Sequence, residues 1–172
     1  TMKAPVLYSP DVARGLIGHF LGAIRGGSQY RRASFLLEAA GQRVFPDWFA
    51  LSERPHLLKA LASAPFDHEG VTTRDRELVE AGVLLGYVLS TYSARKLGLR
   101  TTGNAGGTYN LLVHGRGRDF DQMLALMHRG LYVTELMGQG VNGVTGDYSR
   151  GASGFWVENG RIQYPVHEVT IA

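Results

Sequence analysis

The residues able to do chemistry are few and scattered. Six histidines stand at 19, 56, 68, 114, 128 and 167, and no two have the compact spacing of a metal-chelating pair. Zinc normally takes three or four His, Cys, Asp or Glu donors. The chain has no cysteine, so thiolate catalysis, disulfides and Cys-ligated zinc are excluded. His68 and Glu69 are adjacent; on a strand such neighbours point to opposite faces, a poor chelating geometry. No metal and no other cofactor is expected in this chain. Asp147, Ser149 and a histidine supply the residue types of a hydrolytic triad, yet no Gly-x-Ser-x-Gly elbow surrounds Ser149. The stretch from Asp147 to Arg150 reads more simply as a turn with an internal ion pair or hydrogen bond. Peptide contact is the minority reading.

Two glycine-rich segments invite phosphate chemistry. Gly138-Gln-Gly-Val-Asn-Gly143 matches the Gly-x-Gly-x-x-Gly fingerprint. That fingerprint needs a helix immediately afterwards to meet the pyrophosphate, and the following Val144-Thr-Gly-Asp-Tyr-Ser-Arg-Gly151 is a poor helix former. Gly103-Asn-Ala-Gly-Gly-Thr108 could cradle an anion with its backbone amides, but it lacks the Lys-Ser/Thr ending of a P-loop. Both read better as structural loops. His19 sits at the edge of an apolar helical arc, where a partly buried, hydrogen-bonded histidine is a simpler reading than a ligand. Arg31 and Arg32 could meet peptide carboxylates, with a surface or subunit-contact role preferred.

The elements that must position these residues are mostly strands. Ser9-Pro10-Asp11 starts a helix: Ser9 can cap, Pro10 suits the first position and Asp11 favours the positive end of the dipole. Val12, Leu16, Ile17, Phe20, Leu21 and Ile24 then share a face, and Gly26-Gly27 is expected to stop it. Trp48 to Leu51 is a short extended candidate. Val71 to Val79 and Val83 to Thr91 flank Glu80-Ala81-Gly82, as in a hairpin with a three-residue turn. A short helix over Ser93 to Leu97 closes at Gly98, a loop covers Gly103 to Gly107, and Tyr109 to His114 is a strand candidate. Asp119 caps a helix reaching His128, with Gln122 three residues on and Gly130 as its end. Leu131 to Met137 is another strand. Phe155-Trp156-Val157, Asn159-Gly160 and Arg161 to Ile171 form the strongest hairpin signal. The expected fold is α+β, a predominantly antiparallel sheet built from hairpins with two or three short helices, in a single domain over 1–172.

Composition narrows the class. Glycine is abundant, 23 in 172 residues, against a usual share of roughly 7%. A net charge of +3 is too mild for a nucleic-acid partner. No apolar stretch approaches the ~20 residues that span a bilayer, and no signal peptide is visible. A reducing cytoplasm is the expected location. The last strand pattern runs into Ala172, as expected of a segment from a longer chain.

The segment Val133-Thr-Glu-Leu-Met-Gly-Gln-Gly-Val-Asn-Gly-Val-Thr-Gly-Asp-Tyr-Ser-Arg-Gly-Ala-Ser-Gly-Phe-Trp-Val-Glu-Asn-Gly160 resembles the signature of the TldD/PmbA family, on its PmbA side. Pro65-Phe-Asp-His-Glu-Gly-Val71, Ser90-Thr-Tyr-Ser-Ala-Arg-Lys-Leu-Gly-Leu99 with Thr102-Gly-Asn-Ala105, and Tyr164-Pro-Val166 resemble further family blocks in the same order. The resemblance implies the carboxyl-terminal, sheet-rich half of a subunit that associates with a TldD-type chain as a heterodimer enclosing a chamber, where unfolded peptides are cleaved. The TldD-type chain carries His-Glu-x-x-x-His and a zinc-type metal. Aligned on the first helix, that motif falls on Gly18-His19-Phe20-Leu21-Gly22-Ala23. Both metal-binding histidines are replaced, by Gly18 and Ala23, and the glutamate that polarises the metal-bound water by His19. This chain is thus expected to shape the chamber and hold peptide without catalytic residues of its own. His68, Glu69, Asn104, Asp147, Ser149 and Arg150 are the candidates for peptide contact. A self-sufficient metal-independent hydrolase and a non-catalytic homodimeric peptide-binding protein are the alternatives.

Overall fold

The computed structural model describes all of residues 1–172. In chain order the elements are β1 (Val6–Tyr8), α1 (Pro10–Ile24), α2 (Gly26–Tyr30), β2 (Ala50–Glu53), β3 (Arg76–Glu80), β4 (Val83–Leu84), α3 (Thr91–Leu97), β5 (Leu111–His114), α4 (Phe120–Met127), β6 (Gly130–Met137), β7 (Arg150–Glu158) and β8 (Arg161–Ile171). They gather into two compact units, Thr1–Phe20 with Arg118–Ala172, and Leu21–Gly117.

The first unit is a four-stranded sheet in the order β1-β6-β7-β8. Asn159 and Gly160 turn β7 into β8 with φ of 53° and 69°, the paired positive angles of a type I′ hairpin. β6, β7 and β8 are antiparallel, whereas β1 joins β6 in parallel. Leu131, Val133 and Ala152 form the buried centre, covered by Tyr8, Val12, Val166 and Val169. α4 opens on a capping box: the Asp119 carboxylate accepts from the Gln122 amide, and Gln122 reaches back to the Asp119 amide. It ends at His128, whose φ is 59°, two residues before the expected stop at Gly130.

The second unit holds an antiparallel sheet in the order β4-β3-β2-β5. Leu51, Leu78, Val79 and Leu84 are fully buried in it. The β3–β4 hairpin is tighter and shorter than its apolar pattern suggests. Glu80 pairs with Val83, so the turn is Ala81-Gly82 alone, with φ of 45° and 77°. α3 begins two residues early on a Ser90–Ser93 capping box and closes at left-handed Gly98. α1 ends at Ile24 because Arg25 is extended, with φ −66° and ψ 139°. Gly26-Gly27 therefore open α2 instead of closing α1.

The architecture is α+β and mostly antiparallel, as the hairpin pattern implies, with four helices in place of two or three. No helix is long and apolar enough to cross a membrane.

Candidate functional site

In the second unit two buried carboxylates organise the loop from Thr101 to Gly107. Glu53, on β2, is 1% exposed. It receives Arg76 Nε at 2.8 Å, Asn104 Nδ2 at 2.8 Å and the Tyr109 amide at 2.8 Å. Arg76 also donates to Asn104 Oδ1 at 2.9 Å and to the Tyr87 carbonyl at 3.0 Å. Asn104 gives its remaining donor to the Gly107 carbonyl and accepts from Thr102 Oγ1. A charge taken from water is tolerated when it is paired and its lone pairs are filled, and Glu53 meets both conditions.

Asp67 is 2% exposed and anchors the other side of the loop. Its carboxylate accepts from the amides of Ala105, Glu69 and Val71 at 2.9, 2.9 and 3.0 Å. Burial alone pushes this carboxyl up, but the three amides prevail and hold it below the usual aspartate range. Burial, reinforced by Asp67 and Glu53, raises the Tyr109 phenol.

Against this frame lies a cavity of about 340 Å³, walled by Gly26, Gly27 and Tyr30 of α2, Tyr92 and Ser93 of α3, and the loop at Asn104, Gly106 and Gly107. Gly106 and Gly107 have φ of 103° and 144°, which side-chain-bearing residues rarely adopt. A Cβ on Gly106 would lie 2.5 Å from the His68 ring. Arg25 reaches the cavity from the extended link between α1 and α2.

The structure thus brings three of the six peptide-contact candidates to one place. Asn104 lines the cavity, and His68 packs behind Gly106 with its amide on the Ala105 carbonyl at 3.1 Å. Glu69 accepts from the Thr91 amide at 2.7 Å. His68 and Glu69 sit in a turn, not on a strand, because the Asp67 carboxylate folds that turn onto itself. Asn104 faces the frame with all its bonds filled, so it shapes the wall more than it offers a contact. Arg25 was invisible in the sequence as a cavity residue; the signal beside it, the Gly26-Gly27 pair, reads as a stop.

The other three candidates lie in the first unit. Asp147 accepts from Thr145 Oγ1 at 2.5 Å, and its carbonyl accepts from the Asn142 amide. The Ser149 amide donates to Gly140, and Arg150 Nε to the Met137 carbonyl at 3.0 Å. The turn lies at 143–145, and Asp147 to Arg150 bond outward to residues 137–145 in place of the internal turn expected. Val141 and Tyr148 bridge across it and β7 follows, so no helix stands behind the Gly138–Gly143 fingerprint. Two serine–histidine pairs do form, Ser52 with His114 at 2.7 Å and Ser153 with His167 at 2.6 Å. Both are cross-strand contacts. Glu168 stands 3.9 Å from His167 Nε2, too far to orient the ring by a hydrogen bond.

On α1, Gly18 is open to solvent with nothing near its missing Cβ, and Ala23 is 3% exposed. Neither has a donor atom. His19 is exposed, its ring edge-on to Tyr148 at 6.3 Å, and not the part-buried, hydrogen-bonded residue expected. The residues at these positions do not fit a metal, and no group of three or more His, Asp or Glu side chains converges elsewhere. Arg31 and Arg32 diverge: Arg31 lies over the Tyr30 ring at 5.3 Å, and Arg32 pairs with Glu38 at 3.5 Å.

The whole chain, residues 1–172, matches the model of the PmbA/TldA metallopeptidase C-terminal domain. It is 60% identical over its full length to a protein of Escherichia coli O157:H7 named Metalloprotease PmbA and to a PmbA homolog of Haemophilus influenzae. The chain spans 38% of the length of each. It is 24% identical to a Haemophilus influenzae TldD homolog, over 90% of this chain and 34% of that one. Among solved structures it is similar to a Bacteroides thetaiotaomicron protein described as a proposed modulator of DNA gyrase, with a TM-score of 0.90 and 32% identity over 96% of this chain and 37% of that one. TldE from Thermococcus kodakarensis shares the fold, with a TM-score of 0.73 and 22% identity over 94% of this chain and 40% of that one.

Proposed function

Because the chain belongs to the PmbA/TldD metallopeptidase family, matching its C-terminal domain from end to end, we propose that it serves a PmbA-type subunit whose partner, a TldD-type chain, holds the metal and cleaves unfolded peptides. The observation that carries this reading is α1. The helix is intact, yet Gly18 and Ala23 offer no ligand where the partner's motif has histidines. The peptide bond is then broken on the other chain, where the metal supplies Lewis-acid chemistry, and this chain's task is to hold the substrate.

Its sheets suit that task. β8 pairs only with β7, leaving one edge of an 11-residue strand free to take an extended peptide by main-chain pairing. Backbone groups are the same in every sequence, so such an edge accepts many peptides. Light scattering of the intact protein mixed with a TldD-type chain tests the association. An equimolar complex is expected. Separate elution of the two chains at micromolar concentration would contradict the reading, and a complex of the protein with itself alone would favour the homodimeric alternative.

A further inference from the structure

The geometry points to the cavity walled by α2 and α3 as a binding site for a peptide carboxylate, with Arg25 as the residue that meets it. This rests on the peptide-holding role above and adds what part of the peptide is read. Arg25 is the one charged residue in the cavity lining, and it forms none of the chain's ion pairs. The buried carboxylate behind the Asn104 wall, Glu53, is occupied by Arg76, Asn104 and Tyr109. Two more cations frame the aromatic walls. Arg31 lies over Tyr30 at 5.3 Å, and Lys96 over Tyr92 at 5.7 Å. The lining itself thus carries one positive charge and no negative one, the arrangement that favours an anion.

The shape is also prepared. The chain at Arg25 is fixed on both sides, by the Gly26 amide on the Val88 carbonyl at 2.8 Å and the Val88 amide on the Ile24 carbonyl at 3.0 Å. The guanidinium therefore hangs from a rigid base, and its planar fork matches a carboxylate in bidentate fashion. A Cβ on Gly107 would stand 3.6 Å from Arg25 Nη2, so the guanidinium lies beside the loop backbone. Tyr30 and Tyr92 meet edge to face at 5.7 Å and give flat surfaces beside the charge. At about 340 Å³ the cavity has the volume of a small-ligand site, enough for the end of a peptide and not for a folded segment.

Fluorescence anisotropy of one labelled unstructured peptide on the intact protein tests this in four forms: free or amidated carboxyl terminus, each with an internal glutamate or with glutamine in its place. At least one carboxylate form should bind about tenfold or more tightly than the form lacking both charges; the pair that differs identifies an α-carboxylate or a side-chain carboxylate. Arg25→Ala should abolish the difference and leave the uncharged peptide's affinity and the thermal midpoint unchanged, with Arg25→Lys restoring part of it. Raising salt from about 0.05 M to about 0.5 M should weaken only the charged forms. Equal affinity for all four forms, no binding of any, or Arg25→Ala binding as the parent does would overturn the proposal. The peptide-holding subunit is judged separately: chelator-sensitive cleavage by the mixture with a TldD-type chain, equal for all four peptides, would leave that role standing while the carboxylate site falls. Carboxylate discrimination without such cleavage would do the reverse.

Discussion

Removing a carboxylate from water costs several kcal/mol unless a partner charge and hydrogen bonds replace the solvent. Glu53 has Arg76, Asn104 and the Tyr109 amide for that purpose. Glu53→Ala should therefore cost about 3–5 kcal/mol in urea unfolding, since it strands the Arg76 charge, whose side chain is 15% exposed. A loss below about 1 kcal/mol would show that the network is incidental. Asp67 adds a pH dependence. Its folded pKa lies below its unfolded one, so its stabilisation is complete above the ordinary aspartate value of about 3.9 and is lost as pH falls through the lowered folded value. Asp67→Asn should lower stability near neutral pH and flatten the acid limb of the stability profile. An acid limb as steep as the parent's would contradict that assignment.

Helices and strands close on each other at a few contacts that tolerate no side chain. A Cβ on Gly26 would lie 2.2 Å from Ser93 Oγ and 2.4 Å from Ser93 Cβ, where α2 meets α3. Gly26→Ala should cost about 1–3 kcal/mol by overpacking and disturb the cavity that both helices wall. Unchanged thermal stability would contradict this packing. Features written in local chemistry were legible beforehand: the Asp119 start of α4, the Gly98 end of α3, the Asn159-Gly160 turn, and the face of α1 that buries Phe20 and Ile24. What escaped depends on distance in the chain. β1 is three residues long and exists because β6 accepts it some 125 positions later. α2 is a Gly-Gly segment that no propensity favours. Glu53, Arg76 and Asp67 look like ordinary surface charges until the fold joins residues up to 56 apart. For the same reason His68, Glu69 and Asn104 could be named individually, but neither their grouping nor Arg25 could be read.

At the scale of the molecule, the PmbA/TldD family model matches this chain from end to end, and a TldD homolog aligns with 90% of it at 24% identity. On the proposed reading, Gly18 and Ala23 stand where a TldD-type chain has its metal histidines, while α1, the sheet and the free edge of β8 are in place. The measurement that tests this most directly is cleavage of an unstructured peptide by the intact protein, alone and mixed with a TldD-type chain, with and without chelator. The account predicts no cleavage by this protein alone and chelator-sensitive cleavage by the mixture that exceeds what the TldD-type chain achieves by itself. Chelator-resistant cleavage by this protein alone, lost on Glu69→Ala or Ser149→Ala, would contradict it and move the chemistry into this chain.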